Sequence, residues 1–467
     1  MNSFRQRLVY CVMLTALPLS SPLWAQQSVA DRIDKLEQEI AALKQQLQTQ
    51  DEEQKQQTAK LVAAQQEQEE MQRLADKAAA RKPKVEMGKD GLKVTSAVGN
   101  YSLRLRGYVQ ADSRWFLNGD DSLGIDTFLI RRARPIFEGT AGNFGFRLMP
   151  DFAGASTTLF DAYAEYLPNP LFSLRAGKFK PPVSLDRLRS ATDLSFVERS
   201  LPTLLAPNRD VGLMAFGTPL PGFTYEVGVF NGTEDLGNSI TDADSKKEID
   251  ARLFAHPFIQ SDSALKGLGI GLAGTWGEKE GDLVNRQVGD YRSGAQERVF
   301  RYRATTFADG NHWRIAPQGY FYLGPFGVQA EYTVSSQELN NAGTRATIEN
   351  SAWEVQLRYI LTGQEAGNRG WPVPANPFDP WNGDWGAWEV DARYGVLSID
   401  DDAFPVFADP AASITGADNF GFAVHAYLND NVRLTLDYES FPFDGGAPGG
   451  EDRETEHVIL TRLDYKF

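Results

Sequence analysis

The last thirteen residues, T-E-H-V-I-L-T-R-L-D-Y-K-F at 455–467, read as a single strand with two faces. Ile459, Leu463, Tyr465 and Phe467 are apolar, while Arg462, Asp464 and Lys466 fall between them. Successive side chains of a strand point to opposite sides, so one face of this segment suits lipid and the other suits water. A terminal strand of this kind, ending on an aromatic residue, is what a transmembrane β-barrel closes against its own first strand.

The same period of two recurs upstream. At 101–116, Tyr101, Leu103, Leu105, Val109, Ala111 and Trp115 share one face, and Arg104, Arg106, Tyr108, Gln110, Asp112 and Arg114 share the other. About nine to eleven tilted residues already cross a bilayer, so this segment is long enough to span. The pattern predicts sixteen strands, near 101–116, 126–140, 143–152, 158–167, 171–179, 209–217, 222–232, 246–256, 267–278, 311–323, 326–338, 347–361, 384–399, 418–429, 431–440 and 455–467. Short Gly-, Pro- and Asn-containing turns alternate with longer polar loops, as in a barrel with tight periplasmic turns and long external loops. A seventeenth candidate, 297–306, is assigned to an external loop, because both barrel ends must lie on the periplasmic side. The connector 362–383, with four prolines, is long for a periplasmic turn.

No run of eighteen apolar residues follows the first twenty-five, which excludes a helical membrane protein. Residues 1–25 have Arg5 and Arg7, then an apolar run, then Leu23-Trp24-Ala25, the outline of a cleaved signal peptide. Cys11, the only cysteine, lies within it, so the mature chain carries no disulfide framework. Residues 26–82 lack glycine, and Ile33, Leu36, Ile40, Leu43 and Leu47 are spaced three and four apart, predicting a periplasmic coiled-coil helix that ends at Arg81-Lys82-Pro83. A charged linker at 83–100 then leads to the barrel at 101–467. The net charge of -15 disfavours nucleic acid as a partner. His256, His312, His425 and His457 are scattered, and no spacing suggests a metal site. No catalytic residues or cofactor are called for, since no nucleophile and base share a strand face.

Several stretches resemble the phosphate-selective porin O and P family: L-R-L-R-G-Y-V-Q-A-D-S-R-W-F at 103–116, I-R-R-A-R-P-I-F-E-G at 130–139, K-F-K-P-P-V-S-L and F-V-E-R-S-L within 161–201, and L-T-G-Q-E-A, N-P-F-D-P and G-A-W-E-V-D-A-R-Y within 360–399. The resemblance implies a sixteen-stranded, trimeric outer-membrane porin whose third external loop, 180–207 here, folds into the lumen. It also implies an anion site at Arg106, Arg131 and Arg132.

The residues themselves suit anion passage. Lys178, Lys180, Arg187 and Arg189 lie in or beside the third loop, where fixed cations at a constriction would replace the hydration of phosphate or another inorganic anion. Arg292, Arg298 and Arg314 are candidate rungs of a cationic ladder, although no lysine occurs between Lys279 and Lys466. Glu389, Asp391, Asp437 and Glu439 on later strands would oppose these cations with an acidic wall. Strict alternation puts Arg131 and Arg132 on opposite faces, and an arginine facing mid-bilayer lipid costs about 2–4 kcal/mol, so a bulge is expected there. Two other classes remain open: a general porin of weak selectivity, and a structural tether whose coiled coil reaches the cell wall.

Overall fold

The computed structural model describes residues 29–79, 82–117 and 124–467, and the expected signal peptide lies outside them. The chain divides into two units, Met1–Arg81 and Lys82–Phe467. The first contains helix α1 (Val29–Ala79), which no glycine or proline interrupts. Leu36, Ile40, Leu43 and Leu47 of its apolar stripe are exposed in the single chain.

Residues 83–100 are more than the linker expected of them. Lys84–Gly88 and Gly91–Thr95 form an antiparallel hairpin, and the second of these segments pairs with the first barrel strand. Its turn is Lys89-Asp90, followed by Gly91 at φ +86°, the left-handed residue that completes a short hairpin loop. Strands of five residues are too short for the alternation to stand out against a charged background.

Among the described residues sixteen strands form the wall: β1 (Tyr101–Phe116), β2 (Thr127–Ala141), β3 (Phe144–Asp151), β4 (Thr158–Asn169), β5 (Phe172–Phe179), β6 (Asp210–Leu220), β7 (Phe223–Phe230), β8 (Glu248–Ala255), β9 (Leu268–Glu280), β10 (Thr306–Leu323), β11 (Phe326–Asn341), β12 (Thr344–Ile360), β13 (Ala387–Ser398), β14 (Ile414–Tyr427), β15 (Val432–Phe441) and β16 (Glu456–Lys466). Each pairs antiparallel with the next, and β16 pairs with β1, closing the barrel. These are the sixteen segments that periodicity predicts, with shifted ends; β10 starts earliest relative to expectation, at Thr306. Residues 298–300 pair only with 291–292, in a separate two-stranded ribbon of the fifth external loop, so parity assigns them correctly.

The two faces of the wall separate as the alternation requires. Phe128, Leu213, Ile249, Trp276, Trp353, Phe422 and Leu436 are exposed on the outside. Inside, polar groups are buried and paired: across the closing seam Arg462 donates from Nε and Nη2 to Asp112 at 2.8 and 2.7 Å. Below that pair the Phe467 amide and carbonyl exchange hydrogen bonds with Gly107, at 3.0 and 2.9 Å. A Cβ on Gly107 would come within 2.9 Å of the Phe467 ring and 2.8 Å of the Arg134 carbonyl oxygen, so this approach needs glycine.

The external half of the interior is unevenly filled. Leu201 and Leu205 of loop 3, Tyr291, Val299 and Phe300 of loop 5, Phe407 of loop 7 (399–413) and Phe443 of loop 8 (442–455) pack with Leu339, Ile348, Ala352 and Leu397 of β11–β13 into one apolar core. Most of the open space is left toward β1–β8.

Candidate pore and anion site

Loop 3, residues 180–209, lies against the polar face of the wall on its later strands. Its backbone carbonyls accept from Gln318 at Val183, from Arg433 at Leu194 and from His425 at Ser195, at 2.7, 3.1 and 2.8 Å. Its amides donate to wall carboxylates, Asp186 to Glu331 at 3.1 Å, Val197 to Asp437 at 2.9 Å and Leu201 to Glu354 at 3.0 Å. A loop inside a barrel must find partners for its backbone, and these buried side chains supply them.

The acidic wall is thereby reinterpreted. Glu389 and Asp391 on β13 and Asp437 and Glu439 on β15 are all buried. Arg358 pairs with Glu389 at 2.8 Å, Arg393 pairs with Glu439, and Asp437 holds loop 3. They brace the loop and do not oppose the cations across open water. Glu389, Asp391 and His425 also place one potential ligand atom each within 4.8 Å of one another, a grouping that their wide sequence separation hides. His425 Nε2 faces two acceptors, Ser195 O and Asp391 Oδ2 at 3.3 Å, which assigns the proton to that nitrogen.

Two cavities lie against loop 3, mostly toward β1–β8, the external one bordered also by Arg393, Asn419 and Phe441 of β13–β15. The external one, about 280 Å³, is lined by eight arginines, Arg131, Arg132, Arg134, Arg187, Arg199, Arg209, Arg292 and Arg393, against one carboxylate, Glu198. The periplasmic one, about 460 Å³, has ten cations, including Arg106, Arg147, Arg175, Lys180, Arg189, Arg252 and Arg369, against Asp161, Asp193 and Glu226. Arg134, Ala191, Arg199 and Arg209 line both, so the two cavities meet there. Inside low-dielectric walls an excess of one sign is felt strongly.

The expected bulge is present. Gln110 pairs with Arg132 and Ala111 with Ile130, leaving Arg131 as the extra residue. Both arginines therefore reach inward. Arg131 donates to Glu198 from Nε and Nη2 at 2.6 and 3.1 Å, and Arg132 donates to Gln110 at 2.7 Å and lies 3.5 Å from Glu198. Arg106 lines the periplasmic cavity, paired with Glu138.

In loop 3, Lys180 donates to the Leu188 and Arg189 carbonyls, Arg187 to Thr203 O at 2.6 Å, and Arg189 to Gln329 at 3.3 Å. Lys178 instead turns to Asn238 O, outside both cavities. The ladder candidates separate. Arg292 lines the external cavity, whereas Arg298 pairs with Asp290 in loop 5. Arg314 is fully buried between Asp235, at 2.8 Å, and Glu248, at 2.9 Å, where two carboxylates compensate it; it is a strut of the wall and not a rung.

Sequence reading alone passes over Arg134, Arg147, Arg175 and Arg252. Each stands at an inward position of β2, β3, β5 or β8, and each pairs with a carboxylate of the wall. Their parity with Arg106 was the available signal. Residues 361–386 add Asn368 and Arg369 to the cavity, and Trp371 of the same connector donates to Thr192 O at 2.7 Å; nothing in an irregular Pro-rich stretch announces that it turns into the lumen.

Comparison with known proteins agrees with this architecture. Porin O of Pseudomonas aeruginosa is 26% identical over 421 residues, 81% of this chain and 91% of its own. The outer membrane channel DcaP of Acinetobacter baumannii superposes with a TM-score of 0.53 at 13% identity, covering 79% of this chain and 98% of its own. Salmonella typhi OmpF, solved with daunomycin, gives 0.50 at 13%, with the same two coverages. The model of one family, phosphate-selective porin O and P, matches residues 103–467. That span is nearly the whole barrel, and the chain belongs to this family of bacterial outer-membrane porins.

Proposed function

We propose that the protein is a passive outer-membrane diffusion channel that prefers anions, inorganic phosphate among them, with loop 3 as its constriction. The supporting observation is that cationic side chains outnumber acidic ones along both cavity surfaces, eight to one and ten to three, with carboxylates such as Glu138, Asp151 and Glu439 set behind the surface. Arg131 and Arg132 stand at the external approach, Lys180, Arg187 and Arg189 on the loop, and Arg106 at the periplasmic exit. Arginine suits oxyanions because its planar fork presents paired donors. The family resemblance supports a homotrimer. The exposed Leu36, Ile40, Leu43 and Leu47 of α1 support a periplasmic coiled coil between protomers, placed to contact the cell wall.

The test is the reversal potential of single channels in a potassium chloride gradient. Anion selectivity is expected, and a cation-selective pore would overturn the proposal. Deleting residues 29–79 should leave a barrel that still inserts and conducts with the same selectivity.

A further inference from the structure

Two of the strands that line the external cavity carry an extra residue there. On β2 it is Arg131. On β4 it is Phe160: Met149 pairs with Asp161 and Pro150 with Leu159, so Phe160 has no partner in the ladder. It lines the external cavity among the arginines. The Arg134 guanidinium carbon lies 3.7 Å from the centre of its ring, and that of Arg209 lies 4.9 Å from it. Two like charges are thus held against one aromatic surface, where the quadrupole of the ring offsets part of their repulsion.

The hydrogen bonds of this group leave donors over. Arg134 uses Nε on Asp151 at 2.7 Å and Nη1 on Tyr108 at 3.1 Å. Arg209 uses Nε on Asp161 at 3.2 Å and Nη1 on Asn208 at 2.6 Å. Arg199 uses Nη1 on Asp186 O and Nη2 on Arg189 O. Arg134 Nη2, Arg209 Nη2 and Arg199 Nε have no acceptor among the described residues, and none of the three is a sealed, unsatisfied buried atom. All three residues line both cavities. Arg199 also has no carboxylate within ion-pair distance among the described residues, its charge being offset only at longer range by Asp186. The external pair Arg131 and Arg132 differs in this respect, since it shares Glu198.

We propose that Arg134, Arg199 and Arg209, seated on Phe160, form the anion-binding site of this pore, with the pair Arg131 and Arg132 serving as its approach. The ligand is an oxyanion head of phosphate or carboxylate type, which has several acceptor oxygens for donors arriving from three side chains. Phe160 acts through the two guanidinium groups it carries and is a positioning residue. This inference rests on the channel reading above and deepens it.

The test uses the full-length protein in planar bilayers, with chloride current titrated by inorganic phosphate and, separately, by acetate. Phosphate is expected to block the wild-type current saturably. Arg199→Gln should raise the half-blocking concentration about tenfold, and Arg131→Gln about twofold or less. Arg199 also ties loop 3, so Phe160→Leu, which removes no hydrogen bond, is the second variant. It should weaken block several-fold, with each half-blocking concentration read against that variant's own unblocked chloride current, and Phe160→Tyr should restore it.

Block by acetate with the same dependence on Arg199 identifies a carboxylate head as acceptable; block by phosphate alone identifies a tetrahedral oxyanion, and either result supports the site. Absence of saturable block by both, or block abolished by Arg131→Gln and indifferent to Arg199→Gln and Phe160→Leu, overturns it. An anion-selective reversal potential accompanying that result would leave the channel reading standing, whereas a cation-selective one would remove both.

Discussion

The two sides of the barrel interior obey different rules. Toward β10–β16, charges are buried in pairs, loop 3 is tied down by wall side chains, and apolar residues from four loops make a core like that of a soluble domain. Toward β1–β8, arginines outnumber carboxylates along the cavity surfaces and most of the open space remains. One side has traded water for packing and the other has kept it. A wide barrel thus becomes a narrow, eccentric channel without fewer strands, and the sign of the residual charge is fixed by the unpacked wall. The total charge of -15 is no guide to it.

Arg314 is the most demanding test of the packed side. If it is a strut, Arg314→Met strands Asp235 and Glu248, and removing one partner of a buried pair costs about 3–5 kcal/mol. Urea titration of the folded barrel should show that loss while the reversal potential of surviving channels stays put; a shift toward cations would return Arg314 to the ladder. Phe300 tests the packed side directly. It is fully buried, 5.2 Å from the Tyr291 ring and 4.9 Å from the Tyr302 ring, and truncating such a residue costs about 3 kcal/mol or more. Phe300→Ala should loosen loop 5, read as faster proteolysis there and larger, noisier single-channel steps, in a barrel that remains inserted.

The open side is sharpened by Glu198→Gln. That carboxylate is shared by Arg131, Arg132 and Arg462, so neutralising it should move the reversal potential further toward anions. No movement would mean that these arginines do not face the permeating ion. The smallest effect belongs to the mouth. Asp402 is exposed, and charges there are screened within about 8–10 Å at physiological salt. Asp402→Asn should shift selectivity detectably at low salt and negligibly at 1 M.

Periodicity was enough for the wall because a strand crossing lipid must alternate, and Tyr101–Phe116 or Glu456–Lys466 can do so in only one register. It also exposed the conflict at Arg131 and Arg132, since two adjacent arginines break a period of two and demand a bulge. Phe160 caused no such alarm: an aromatic residue is at home on either face, so its bulge left no trace in the pattern. Arg314 looked like a rung because charge and inward parity are local properties, whereas compensation by Asp235 and Glu248 depends on contacts 66 to 79 residues away. The acids of β13 and β15 misled for the same reason. Glu389 and Glu439 are neutralised by Arg358 and Arg393 of neighbouring or next-but-one strands, and the partner of Asp437, the Val197 amide of loop 3, has no side-chain signature at all.

The hairpin at 84–95 has a consequence for how the cylinder is sealed. Only part of β1 meets β16: residues 108–116 pair with it, Gly107 meets Phe467, and Ser102 to Leu105 already pair with Thr95 to Leu92. Those inner contacts are close in sequence and form at small loop-closure cost, while the seam joins residues some 350 positions apart. The hairpin therefore acts as a register stop. A closing strand that overshot by two residues would carry Phe467 to the place opposite Leu105 that Leu92 occupies, so the early, local contact defines where the late, distant one must end.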